Sequence, residues 1–150
     1  MVKLLIPVDF SPDSKDFVKA GLRILPDVDK IEFVYVIPLG MKELEDFVDA
    51  DSIEYARKKA EQKMNDLINN LNVKAKEIAY TITDGDPASV LIDMANSGEF
   101  DAILIGHRGY AYISDFFIGS VTLKLISKAR IPVIVVRKTK KGAEDIFEEK

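Results

Sequence analysis

Gly106, Gly109 and Gly119 recur at intervals of three and ten residues, and Ser120 directly follows the last of them. The stretch that carries them, ILIGHRGYAYISDFFIGSVTLKLI over 103–126, opens as an apolar β-branched run and closes with helical spacing. With no Cβ, the backbone at Gly106 and Gly109 can turn sharply and come within hydrogen-bonding distance of a bulky ligand. Gly119-Ser120 falls where a helix begins, so free N–H groups and a hydroxyl could hold phosphate oxygens. The nine residues YAYISDFFI between them would form a flap that brings both glycine sites to one ligand. Capture of a phosphate-bearing nucleotide is the chemistry this pattern suits. At roughly 7% glycine, three fixed glycines recur by chance in about one chain in twenty of this length. Requiring Ser or Thr next, a strand before and a helix after makes the pattern considerably more specific.

Five short runs would position these residues: VKLLIPV (2–8), IEFVYVI (31–37), KEIAYTIT (76–83), AILI (102–105) and PVIVV (132–136). Runs one, four and five are nearly continuous in apolar residues, the pattern of strands covered on both faces. The third alternates Ile78, Tyr80 and Ile82 with polar or small residues and reads as less buried.

Helical signals fill every gap. Ser11-Pro12 reads as N-cap and N1 of a helix whose face is Phe17, Ala20, Gly21, Ile24 and Leu25. Asp51 and Glu54 resemble a capping box, opening a helix with the stripe Ala56, Ala60, Met64, Leu67, Ile68 and Leu71. Asp86-Pro87 opens a third, carrying Leu91, Ile92 and Ala95, with Gly98 as its C′ stop. Ser120 begins a fourth, presenting Val121, Leu125, Ile126 and Ala129. Residues 38–50 fit neither period and predict a loop or short extra helix. Residues 1–138 form the expected domain, with 139–150 a frayed tail.

The order β-α-β-α-β-α-β-α-β implies a single doubly wound α/β domain: five parallel strands with helices on both faces. In such sheets ligands bind beyond the carboxyl ends of the strands, where strand order reverses. That rule nominates Asp9, Val36, Ile37, Gly85 and Gly106. Helix N-termini face the same edge and favour an anion.

The bulk composition sets outer limits. The chain has 150 residues, a formal charge of -4 and no cysteine, with a pI near 5.1. The acidic balance argues against bulk attraction to nucleic acid or to an anionic membrane. Disulfides and thiolate metal sites are excluded. The run LLIPV is too short for a signal peptide core or a membrane span, so a soluble cytoplasmic protein is expected.

The chain resembles the universal stress proteins, whose nucleotide-binding members carry G-x2-G-x9-G-[ST]. Gly106-His107-Arg108-Gly109, nine residues, then Gly119-Ser120 fit that spacing without a gap. IPVDFSPDS (6–14), YVIP (35–38), DGDP (84–87) and IPVIVVRK (131–138) extend the resemblance over nearly the whole chain. It implies a Rossmann-like sheet of the adenine nucleotide alpha hydrolase type that binds ATP or AMP, with Mg2+ as a bridge between phosphates. By position, the backbone at Val36 would meet adenine beside Pro7, and Asp9 would lie near the ribose or the metal. The loop from Gly106 to Gly109 would cradle the ribose and first phosphates. Gly119, Ser120 and Val121, assisted by Thr122, would hold the outer ones. His107 and Arg108 occupy positions that vary in the family; an arginine there could touch phosphate or be solvated. The resemblance also implies a homodimer through the last strand, Ile131 to Val136. That run is apolar and would need a partner or cover at a sheet edge.

Plainer roles stand beside these. Glycines at strand ends are often turns. Asp9 could simply cap the first helix. His107, the only histidine, has no second histidine or cysteine with which to bind a metal. Tyr110, Tyr112, Phe116 and Phe117 suit flap packing better than base stacking, because basic residues do not interleave them. Two rival functions use the same fold. A slow ATPase or phosphotransferase would employ Asp9 near the phosphates, although no convincing second acid accompanies it. A flavodoxin-like or receiver-like module would place Asp9 in an acidic pocket with Asp84 and Lys138, leaving the glycine spacing unexplained.

Overall fold

Each apolar run becomes a strand, and each gap with helical spacing becomes a helix. The computed structural model describes residues 1–25, 27–39, 50–107 and 119–137. Its elements are β1 (Lys3–Pro7), α1 (Pro12–Ile24), β2 (Lys30–Pro38), α2 (Ala50–Leu71), β3 (Glu77–Gly85), α3 (Pro87–Ala95), β4 (Ala102–Gly106), α4 (Ser120–Lys128) and β5 (Val133–Val136). The five strands form one parallel sheet in the order β3-β2-β1-β4-β5.

Alternation along the strands divides the core between two faces. Leu4, Ile6, Phe33 and Leu104 point to one, where Phe17 and Val18 of α1 and Met64 and Leu71 of α2 cover them. Leu5, Val34, Val36, Ile103 and Ile105 point to the other, beneath Ala88 and Leu91 of α3 and Val121 and Leu125 of α4. A run such as LLI is apolar throughout because both of its faces are covered. At one point α1 sits directly on β4. A Cβ at Gly21 would lie 2.6 Å from both methyl carbons of Leu104, so glycine sets how closely this helix approaches the sheet.

Several local expectations change. β3 occupies an edge and is the less buried strand its alternation implied. β5 was expected to be covered on both faces, but it is half-buried along its length because it forms the opposite edge. α2 begins at Ala50, which places Asp51 inside the first turn rather than at the N-cap of a capping box. A carboxylate there still complements the helix dipole. α3 ends at Ala95 with Asn96 as its C-cap, and Gly98 lies two residues further on at φ +89°. On α4, Ile126 is 47% exposed instead of joining the buried stripe, and Thr122 is fully buried. Most of the predicted irregular segment (40–49) and the expected frayed tail lie outside the described residues.

Candidate functional site

Strand order reverses at β1, which has β2 on one side and β4 on the other. The crossover through α1 leads one way and the crossover into β4 leads the other, so the switch point, where such sheets bind ligands, lies between the carboxyl ends of β1 and β4. The β1–β4 register pairs Leu5 with Ile103. Carried forward, it sets Asp9 level with His107 at the sheet edge. Pro7, the last residue of β1, is buried and pairs with Val34. Val36 is buried on the α3/α4 face and pairs with Thr83. β2 runs on to Pro38.

Asp9 is held by its neighbours in sequence. Phe10 adopts φ +62°, in the left-handed region that non-glycine residues seldom occupy. Its ring lies 4.6 Å from that of Tyr35, tilted by 45°. After this reversal the Ser11 N–H donates to Asp9 Oδ1 at 2.9 Å, and the Ser14 hydroxyl donates to the same oxygen at 2.9 Å. Ser11 occupies the N-cap position with Pro12 following, but its hydroxyl caps no helix N–H. Asp9 therefore does serve the start of α1, and neither of these bonds uses its Oδ2. Burial first, and then the nearby Asp9 carboxylate, push the Tyr35 phenol above its ordinary pKa.

The tip of β4 has a different logic from the one its glycines suggested. A Cβ at Gly106 would meet the Phe17 ring at 3.4 Å, an ordinary contact, so packing against α1 does not by itself require glycine here. His107 donates its N–H to the Val136 carbonyl at 2.8 Å, and its own carbonyl accepts from the Gly119 N–H at 2.9 Å. The Thr122 hydroxyl donates to the Gly106 carbonyl at 2.9 Å. Together these bonds tie the end of β5, the end of β4 and the start of α4 into one unit. The Gly119 N–H is thus bonded to the His107 carbonyl, and the fully buried Thr122 hydroxyl spends its one proton on the Gly106 carbonyl. Gly119 has φ -67° and ψ 149°, ordinary extended backbone. Arg108, Gly109 and the flap 110–118 lie outside the described residues.

The helix starts at this edge differ in charge. α1 has the Asp9 carboxylate. α3 has Asp86, which accepts from the Ser89 N–H at 3.0 Å and the Ser89 hydroxyl at 2.8 Å. Those bonds hold the Asp86 carboxyl below its usual pKa range. Among the described residues α4 has neither: its N-cap is Gly119, without a side-chain cap, and no acid lies in its first turn. The first N–H groups of a helix have no intrahelical acceptor. At α4 they belong to exposed Ser120, buried Val121 and Thr122, beside the positive end of the dipole.

The acidic pocket of a receiver-like module is not assembled. Asp84 lies on edge strand β3, separated from β1 by β2, and pairs with Arg57 of α2 at 3.2 Å. Lys138 lies outside the described residues. Among the described residues, no three His, Asp or Glu side chains cluster as a metal site, and no helix is long and apolar enough to cross a membrane. Ser14 and Tyr35 were missed from sequence. The spacing Asp9-x-Ser11-x2-Ser14 was the available signal for the first, since a serine three residues past an N-cap can turn back to the preceding loop.

The model of the universal stress protein family matches residues 1–137. The chain is 26% identical over 149 residues to universal stress protein MJ0531 of Methanocaldococcus jannaschii, a match covering 93% of this chain and 84% of that one. Among solved structures it resembles the universal stress protein from Archaeoglobus fulgidus in complex with dAMP, at 22% identity and a TM-score of 0.56, covering 90% and 97% of the two chains. A universal stress protein family protein from Arabidopsis thaliana with AMP bound shares 16% identity and a TM-score of 0.61, covering 94% of each chain.

Proposed function

We propose that this chain, which belongs to the universal stress protein family, is an adenine-nucleotide-binding regulatory module that holds ATP or AMP at the switch point between the tips of β1 and β4. The observation that carries the proposal is the contrast among helix starts at that edge. α1 and α3 each have a carboxylate of their own, whereas among the described residues α4 starts with no capping side chain and no acid. The dAMP and AMP complexes of its structural neighbours support the same ligand class.

In this reading adenine lies against the Val36 backbone near Pro7, and Asp9 faces the ribose. Residues 106–109 flank the ribose and first phosphates. The N–H groups of Ser120 and Val121 take the outer phosphate oxygens. Mg2+ enters as the counter-ion of the phosphates. Binding that favours one folded state shifts the population toward it, which makes such a module a switch for a cytoplasmic partner.

Thermal unfolding with ATP and Mg2+ tests the proposal. At a hundredfold excess over Kd, a ligand that binds only the native state stabilises it by about 2.7 kcal/mol. That raises the melting temperature of a chain this size by roughly 5–10 °C. Gly119→Val and Gly109→Val should remove the rise, and an unchanged melting temperature in millimolar nucleotide would refute the proposal. Asp9-dependent phosphate release would instead identify a slow ATPase or phosphotransferase in the same pocket.

A homodimer through Ile131–Val136 is part of the proposal. β5 is a half-buried edge strand, and neighbouring α4 exposes Leu123 and Ile126. Sedimentation at micromolar concentration should give a dimer; a monomer would remove this part.

A further inference from the structure

We infer that Ser14 is a positioning residue for nucleotide binding: it locks the Asp9 carboxylate so that Oδ1 belongs to the protein and Oδ2 is left to accept a ribose hydroxyl. The inference rests on the nucleotide reading above and adds a residue and a division of labour to it. An aspartate side chain has a broad, two-fold terminal torsion, so a carboxylate held by one weak donor can exchange its oxygens. Here two donors, the Ser11 N–H and the Ser14 hydroxyl, converge on the same oxygen at 2.9 Å each. Bonds to an ionised acceptor are the stronger kind, and two on one oxygen break the symmetry of the group.

Ser14 is 2% exposed. A hydroxyl so deeply buried has no solvent to turn to, and the Ser11 hydroxyl at 3.5 Å is a longer, uncharged alternative, so the 2.9 Å bond to the Asp9 carboxylate prevails. The arrangement also depends on the left-handed backbone of Phe10, which lets Ser11 fold back under Asp9 while the Phe10 ring is braced on Tyr35. Backbone held in a sparsely populated region, at a strand tip beside the switch point, points to a geometry kept for function.

The test is a double-mutant cycle read by the Kd for ATP, with melting temperatures measured in parallel. Ser14→Ala should weaken ATP binding roughly threefold to tenfold in the wild-type background, and have no further effect when Asp9→Ala is already present. Ser14→Cys, which keeps the volume and a weak donor, should fall between. If Ser14→Ala lowers the melting temperature but leaves Kd unchanged, or weakens ATP equally in both backgrounds, Ser14 is only structural and the inference is wrong. If Asp9→Ala binds ATP as tightly as wild type, Asp9 does not touch the nucleotide; the inference falls while the nucleotide proposal stands. A wild-type chain that binds no ATP removes both.

Discussion

Thr122 donates its hydroxyl to the carbonyl of Gly106 at 2.9 Å from a position with no solvent exposure. This bond fixes the start of α4 against the tip of β4, while the Gly119 N–H bonded to the His107 carbonyl fixes the preceding residue. Thr122→Val keeps the shape and deletes the donor, removing this bond from a partly buried carbonyl. The expected loss is about 1 kcal/mol, seen as a lower denaturation midpoint with an unchanged slope. Wild-type stability in this variant would show that the bond contributes nothing.

Two glycines that face α1–sheet contacts should respond differently. At Gly21 an added methyl carbon would collide with Leu104 at 2.6 Å, whereas at Gly106 it would meet Phe17 at an ordinary 3.4 Å. Gly21→Ala is expected to cost about 1–3 kcal/mol by overpacking, and part of the loss should return in a Leu104→Ala background. Gly106→Ala should cost less. Chemical denaturation of the variants checks the order, and a reversed order would contradict the packing described here.

Asp86→Ala removes both bonds to Ser89 and should cost about 1 kcal/mol at neutral pH, as N-cap losses do. The sign of its pH dependence follows from the depressed pKa. The stabilisation is present above the ordinary aspartate range and is lost as pH falls through the folded-state value. The gap between wild type and Asp86→Ala should therefore close below about pH 4. A gap that widens in acid would be inconsistent with a carboxylate cap.

Tyr35 carries the opposite sign. Its phenol is raised by burial and then by Asp9, so the folded state holds the proton more tightly than the unfolded chain does. That contribution is intact below about pH 10 and is lost as pH rises through the folded-state value. Wild type should lose stability more steeply in alkali than Tyr35→Phe. Asp9→Asn should bring phenolate formation, followed by ultraviolet absorbance, to lower pH. Identical alkaline profiles in all three would rule out the coupling.

Much of this architecture was legible in the chain, and the reasons for the rest are specific. The β-branched runs disclosed all five strands: burial on two faces leaves an apolar trace in β1 and β4, while edge strand β3 shows as alternation. Strand order was not written in any one run; it follows from which crossover packs on which face. Ile126 was misplaced because it lies about 100° around the helix from Leu125, outside the arc that Val121, Thr122 and Leu125 bury. The spacing of the glycines nominated a site region, but it could not reveal that Gly106 lies against Phe17, a residue distant in sequence and brought close only by folding. Likewise, the Asp9 to Ser14 bond requires the left-handed turn at Phe10, which nothing in the identity of a phenylalanine announces.

Isothermal titration of the wild-type chain with ATP and with AMP tests the central claim most directly, with Gly119→Val as the matched control. Its extended backbone angles admit a side chain at this buried position, and the variant's melting without nucleotide is recorded alongside to show that it folds. The expected result is saturable binding of at least one of the two nucleotides, one molecule per chain, and its loss in Gly119→Val. No heat of binding from either nucleotide at millimolar concentration, or equal binding by both proteins, would contradict a nucleotide seated on the open N-terminus of that helix.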